Sequence, residues 1–363
     1  MHLRRRRRQI TTTAAVAAVG SVLLLAACSS SPPSSTSSGS TSPSASLSGT
    51  VNGSGSTFQL VFQQSAIQAF KSVQPSMTVN YAGVGSGTGR TNLAAGTVNF
   101  AGSDSPIPST ETANFKGKTV LYFPVVIGPI TMAYNLPSLS KPLQLDATVI
   151  ADIFQGKIKA WNNSEIAAIN PGVTLPSTPI TLAVRSDSSG TTQNFSLFLV
   201  DAAGSDWKLG SSSTITWPST ARAVSGNSGV AQAVKSTPGA IGYVDYATAK
   251  ASGLTYASVK NQAGSYVAPS VAGASASAAG VTVASDLTFH AVWGTGATAY
   301  PITYQSWDLV YAKQPNANDA KLLQAYLGYL LGAGQQLLAS LNYAPLPASI
   351  DQMAKAQLSK ITG

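Results

Sequence analysis

The chain has 363 residues, 44% hydrophobic and only 10% charged, so it carries the apolar mass for a sizeable core and is not globally disordered. Its net charge of +9 is concentrated: five of the 22 basic residues are Arg4, Arg5, Arg6, Arg7 and Arg8, and the other 17 face 13 acidic ones. A single cysteine, Cys28, and two histidines, His2 and His290, exclude an intrachain disulfide, a cysteine-rich metal site and a histidine cluster. No basic run and no aromatic-basic interleaving follows the Arg segment, so nucleic acid is not an expected partner.

The N-terminus reads as an Arg run, an apolar stretch from Ala14 to Ala27 and a small-residue cleavage region, the pattern of a secretory signal. The stretch is too short for a good membrane span. Its end, Leu25-Ala26-Ala27-Cys28, resembles the bacterial lipoprotein box. That resemblance implies removal of residues 1–27, acylation of Cys28 and anchoring to the cell membrane by lipid. Residues 28–47 form a Ser/Pro-rich tether that cannot bury a core. The expected location is extracytoplasmic, with the folded body held near the membrane.

From Val51 onward, short β-branched runs alternate with helical stretches, which predicts an α/β fold. Three junctions stand out. Gly53-Ser54-Gly55-Ser56-Thr57-Phe58 precedes a helical spacing of Phe62, Ala66, Ala69 and Phe70, with Thr57 as the candidate N-cap. The alternating strand Met77, Val79, Tyr81 leads into Gly83-Val84-Gly85-Ser86-Gly87-Thr88-Gly89-Arg90. The strand Ile180 to Val184 leads into Arg185-Ser186-Asp187-Ser188-Ser189-Gly190-Thr191-Thr192 and an apolar helix. Each puts Gly, Ser and Thr where the first backbone N–H groups of a helix are unpaired and its dipole is positive. Such loops suit a small anion. They match neither a P-loop nor a dinucleotide fingerprint, since the required third Gly and the Gly-Lys-Ser/Thr run are missing. Between the second and third loops, Asp104 ends the strand in Phe100-Ala101-Gly102-Ser103-Asp104. A carboxylate in an anion site makes sense only if the anion has a proton to donate.

Taken together these motifs resemble the extracytoplasmic phosphate-binding protein of the ABC-type high-affinity phosphate importer, in the periplasmic binding protein superfamily. The resemblance covers nearly all of residues 48–363, through GSGSTF (53–58), GVGSGTG (83–89), FAGSDSPI (100–107) and VRSDSSGTT (184–192). Supporting stretches are residues 154–176, residues 226–247 and YPITYQSW (300–307). The resemblance implies a two-lobed α/β clamp, each lobe a central sheet flanked by helices, with lobe 1 from 48–134 plus 302–363 and lobe 2 from 135–301. Two hinge crossovers are implied, near Asn135 and Pro301. It also implies inorganic phosphate as ligand, no cofactor, no metal and no enzymatic activity. The implied partners are the permease subunits and ATPase of the importer, and the expected state is a monomer.

Carried onto this sequence, the family's pattern assigns Thr57 and Phe58 to phosphate oxygens and Ser86 to donation from its hydroxyl and N–H. It makes Asp104 the acceptor for the phosphate proton and Arg185 the charged contact, oriented by Asp187. Ser189, Gly190 and Thr191 donate from the third loop. Phosphate has a P–OH to donate near neutral pH and sulfate has none, so sulfate should be rejected. The rival readings on the same fold are a phosphate-ester hydrolase with Ser86 or Ser189 as nucleophile, and a phosphate sensor or adhesin. A serine nucleophile needs a base, and the lone candidate, His290, lies in surroundings that read as packed structure and is expected to be a buried or edge histidine. The apolar stretch from Leu322 to Leu341 is read as a core-facing helix, and Trp161, Trp207 and Trp307 as packing residues.

Overall fold

Parallel strand–helix units build the first half of the fold. The computed structural model describes residues 46–363, so the leader, Cys28 and the tether up to residue 45 lie outside the described residues. β1 (Gly49–Gly55) leads into α1 (Leu60–Phe70), and β2 (Met77–Gly83) into α2 (Ser86–Ala95). β3 (Phe100–Ser103) then runs towards a long strand, β4 (Val120–Tyr134). Next come β5 (Gln144–Leu145), α3 (Ala147–Phe154) and α4 (Ser164–Ala168). A second set follows: β6 (Thr181–Arg185), α5 (Gly190–Ala203), β7 (Arg222–Val224), α6 (Gly226–Ser236), β8 (Ala240–Asp245) and α7 (Tyr246–Ala251). Short strands β9 (Thr255–Tyr256), β10 (Ser258–Lys260) and β11 (Tyr266–Val267) precede α8 (Val271–Ala278). β12 (Thr303–Tyr311), α9 (Ala317–Leu331) and α10 (Ala348–Gln357) complete the chain.

Among the described residues, nine strands form one continuous sheet in the order β2-β1-β3-β12-β4-β8-β6-β7, with β9 beside β4. β1 is parallel to β2 and β3, and β6 is parallel to β7 and β8. β12 and β4 are antiparallel to each other and to their outer neighbours β3 and β8. β4 joins the two parallel sets by changing partner. It pairs with β12 from Val120 to Pro129 and with β8 from Ile130 to Tyr134. Where the change occurs, Ile130 N–H donates to the Ile302 carbonyl at 2.7 Å. All but the first of its 15 residues are buried, which is the reason it reads as a continuous apolar run.

Helical periodicity is realised in α1, but the helix expected from Leu322 to Leu341 stops at Leu331, where Gly332 breaks it and the chain continues in two short 3-10 turns, 333–337 and 339–341. Phe62, Ala66 and Phe70 of α1 are buried, and Leu322, Leu323, Tyr326, Leu327, Leu330 and Leu331 of α9 face the core. No helix among the described residues is long and apolar enough to cross a membrane. Trp161, Trp207 and Trp307 are buried in the core, as expected of packing residues.

Candidate anion-binding site

Four helix N-termini face one another where the parallel strands end. The loop after β1 starts α1, and its bonding differs from the sequence expectation. Thr57 is not the N-cap, since α1 begins only at Leu60 behind Gln59 with no side-chain cap; the loop before it is closed by Ser56, whose Oγ accepts from Phe58 N–H at 3.0 Å and from Gln59 N–H at 3.4 Å. Thr57 turns its hydroxyl across to α6 instead, accepting from the Asn227 amide N–H at 3.3 Å and from Asn227 Nδ2 at 3.2 Å. Phe58 anchors the loop, its ring 4.1 Å from that of Tyr304 and 5.1 Å from that of Tyr343.

The loop after β2 needs its glycines. Gly85 has φ +92°, a conformation that favours glycine, and a Cβ there would lie 2.4 Å from Asp187 Oδ2. α2 can therefore begin directly against the third loop, and Gly87 N–H donates to the Ser188 carbonyl at 3.0 Å. The Ser86 hydroxyl accepts from the N–H groups of Asp104 and Gly190, each at 3.2 Å, and donates to Asp104 Oδ2 at 3.4 Å. One hydroxyl thus touches β3's end and the start of α5.

The loop after β6 brings the charge. Arg185 forks onto Asp187, with Nε donating to Oδ1 at 2.7 Å and Nη2 to Oδ2, while Nη1 reaches Asn227 Oδ1 at 3.4 Å. Burial alone would raise the Asp187 pKa, but the Arg185 guanidinium outweighs it and the carboxyl sits below its ordinary range. Asp187 also accepts from Gly226 N–H at 3.1 Å, so it ties β6 to α6. Ser189 caps α5 by accepting from Thr192 N–H at 3.2 Å, and its own N–H donates to the Ser213 carbonyl at 2.9 Å. Thr191 Oγ1 accepts from Asn227 Nδ2 at 3.4 Å.

Asp104 is wholly buried at the centre of these groups. Its Oδ1 accepts from the Ser306 hydroxyl at 2.5 Å. Burial raises its pKa to about 6, against the lowering effects of Ser306, Ser56, Arg185 and Ser86. Arg90, also buried, braces the strand end on either side: Nη1 donates to Ser103 Oγ at 3.1 Å and Ser105 Oγ at 3.2 Å, and Nε and Nη2 fork onto Glu111.

The structure brings Thr57, Phe58, Ser86, Asp104, Arg185, Asp187, Ser189, Gly190 and Thr191 into one connected cluster. Thr57 and Ser86 belong to the β1/β2 side, and Arg185 to Thr191 to the β6 side. Helix N-termini, hydroxyls and one guanidinium converge, an arrangement that suits a small oxyanion. His290, expected as a buried or edge histidine in packed surroundings, is exposed while its neighbours Phe289, Ala291 and Val292 are buried. It lines a cavity of about 490 Å³ with Arg90, Glu111 and Ser188, and among the described residues it makes no hydrogen bond to Ser86 or Ser189.

Comparison with known proteins decides the family. A model described as a PBP superfamily domain matches residues 40–333. The chain is 34% identical over 310 residues to the phosphate-binding protein PstS 3 of Mycobacterium tuberculosis, covering 82% of this chain and 83% of that one. It is 36% identical over 291 residues to the phosphate-binding protein PstS of Haemophilus influenzae, covering 77% and 84%. The chain belongs to the PstS phosphate-binding protein family. Its fold matches a high affinity periplasmic phosphate-binding protein (PfluDING) solved bound with phosphate, with a TM-score of 0.71 at 22% identity, over 85% of this chain and 94% of that one. The mixed α/β architecture of this PstS-family protein is therefore the periplasmic-binding-protein fold.

Two contributors were not assigned roles from the sequence. Asn227 touches Thr57, Arg185 and Thr191, three members of the cluster. Its signal was present as Ser225-Gly226-Asn227, a fourth Gly/Ser helix start after a short strand. Ser306 carries no such local signal. It reaches Asp104 because β12 lies against β3 in the register Trp307↔Ser103, Asp308↔Gly102.

Proposed function

We propose that this protein captures inorganic phosphate outside the cytoplasm and delivers it to an ABC-type importer. The observation that carries the reading is the convergence of Thr57, Ser86 and Asp104 with Arg185 and the start of α5 about one point. In this reading the parts 48–134 plus 302–363 and 135–301 act as lobes of a clamp. Backbone N–H groups of the helix starts and the hydroxyls of Thr57, Ser86, Ser189 and Thr191 donate to the phosphate oxygens. Arg185, held flat by Asp187, gives the charged contact. Contacts from both lobes make the closed form the one that phosphate favours.

Asp104 supplies the selection. As an ionised acceptor it takes the hydrogen of the phosphate P–OH. A sulfate oxygen in the same place faces the carboxylate with no proton between them, and a site built around one hydrogen bond rejects such an isostere by about 10⁴–10⁵-fold. The chemistry is binding, not bond cleavage, in keeping with relatives named for binding. Supporting an importer role is the family itself. The remaining parts of the reading are a lipid on Cys28 that anchors the protein to the membrane, and docking on the permease subunits and ATPase.

Calorimetric titration of purified protein tests the ligand. Phosphate is expected to bind at micromolar concentration or below, and sulfate to fail to compete. Sulfate competing near its equal overturns the reading. The anchor is tested by Cys28→Ala, which should move the protein from the membrane fraction to the soluble one.

A further inference from the structure

Beneath Asp104 lies a run of buried polar side chains that the binding reading leaves unused. Ser306, Gln59, Gln63 and Asp308 are all fully buried. Such groups are costly to bury without partners, so their hydrogen bonds define an arrangement. Gln59 Nε2 is 2.9 Å from the Trp307 carbonyl oxygen, which can only accept, so that side-chain atom is the donor. The same Nε2 donates to Ser306 Oγ at 2.7 Å. Gln59 Oε1 in turn accepts from Gln63 Nε2 at 2.9 Å. Gln63 Nε2 also reaches Asp308 Oδ2 at 3.0 Å, and Gln63 Oε1 accepts from the Tyr326 hydroxyl at 2.6 Å. Every amide in the run has its direction fixed.

That fixes the Ser306 hydrogen. With its oxygen already accepting from Gln59, the hydroxyl has one hydrogen to give, and Asp104 Oδ1 lies 2.5 Å away. The β12–β3 register, Trp307↔Ser103, brings Ser306 beside Asp104. The β12–β4 register shifts between Ser306 and Trp307, so Ser306 faces Val126 while Trp307 faces Pro124. The extra residue is Val125 on β4, so the irregularity sits beside the site on the neighbouring strand.

We propose that Ser306, oriented by Gln59, is a specificity-determining positioning residue that holds Asp104 as a hydrogen-bond acceptor. The inference rests on the phosphate-binding reading. Without the donated hydrogen, a wholly buried carboxylate gains by keeping a proton of its own. A protonated Asp104 can donate to a sulfate oxygen, and the distinction between the two anions narrows. Ser306 acts through Asp104 and needs no contact with the ligand.

The test is sulfate competition against phosphate at neutral pH, in wild type, Ser306→Ala, Ser306→Thr and Gln59→Leu. Ser306→Ala should lower the phosphate-over-sulfate preference by roughly tenfold or more, the scale of a hydrogen bond to a charged group. Ser306→Thr keeps the hydroxyl and should restore the preference to within about threefold of wild type. Gln59→Leu frees the hydroxyl to turn and should shift the preference in the same direction as Ser306→Ala. A phosphate-dependent rise in melting temperature shows that each variant is folded. If Ser306→Ala and Gln59→Leu bind phosphate and still reject sulfate as wild type does, the inference is overturned while the binding reading stands. If wild type itself fails to prefer phosphate, both fall.

Discussion

The N–H of Gly190, the first residue of α5, meets the hydroxyl of Ser86, the first residue of α2, at 3.2 Å. Two helix starts from opposite sides of the sheet thus share one hydroxyl. There is no room for a side chain at this meeting: a Cβ on Gly190 would lie 2.5 Å from Asp104 Cβ and 2.6 Å from Ser86 Oγ. Gly190→Ala should therefore hold the two sides apart. Overpacking of this kind costs about 1–3 kcal/mol, so phosphate affinity should fall roughly ten- to a hundredfold. In the proposed clamp, where the sides part in the absence of phosphate, urea unfolding of the phosphate-free protein should change much less.

Asp104 and Arg185 should separate selectivity from strength. Asp104→Ala removes the acceptor, and its main effect should be a loss of discrimination against sulfate of at least about tenfold. Arg185→Ala removes the charged donor and leaves Asp187 without its partner. Phosphate affinity should drop by about a hundredfold or more while the preference over sulfate is kept. Paired titrations of both anions read both effects, and wild-type behaviour in both variants would show that the site lies elsewhere.

The pH dependence of sulfate binding should report on Asp104. Its pKa, raised by burial to about 6, leaves it ionised above that value and protonated below it. Arg185 faces it from β6, and Asp245 is a nearby buried carboxyl on β8. Sulfate carries the same charge throughout this range, so its affinity should rise as pH falls, by up to about tenfold per pH unit above the Asp104 pKa. Asp104→Asn should abolish this slope. Competition titrations at about pH 8 and about pH 5 provide the check.

Buried acids should also shape folding stability. Burial raises Asp104 and Asp245 to about 6 and Asp308 to about 7. Below the ordinary carboxyl range all three are protonated whether the chain is folded or not. As pH rises from there towards 7, the unfolded chain releases these protons and the folded one keeps them, so stability should fall through this window. Asp308→Asn removes the contributor with the highest value. It should flatten the stability–pH curve between about pH 4 and pH 7 in urea unfolding of the phosphate-free protein, and an unchanged slope would refute the assignment.

Much of this site was legible because its chemistry is local. Gly85, Ser86, Arg185, Asp187 and Gly190 sit in contiguous loops, and a helix start rich in Gly and Ser can be read as an anion site from the chain alone. The alternating Met77 and Val79 and the spacing of Phe62, Ala66 and Phe70 likewise announced β2 and α1. Thr57 shows the limit. Its type and position fit an N-cap, yet α1 starts only at Leu60 with no side chain capping it, and Asn227, 170 residues away in sequence, takes the Thr57 hydroxyl. Ser306 shows a harder limit, since its relation to Asp104 follows from the β12–β3 register, which leaves no residue pattern. His290 came out exposed because its apolar neighbours Phe289 and Ala291 point inward while it does not.

The partner exchange in β4 bears on how the proposed clamp would open. One uninterrupted ribbon serves both strand sets, and it is pinned to the returning chain at Ile130 and Ile302. Any rotation between the sets must wind or unwind that ribbon close to Pro129, as load on a torsion bar is borne by the bar and not by its mountings. In the proposed clamp a twist about this strand would leave the ladder intact, whereas sliding of one set past the other would require the ladder itself to break.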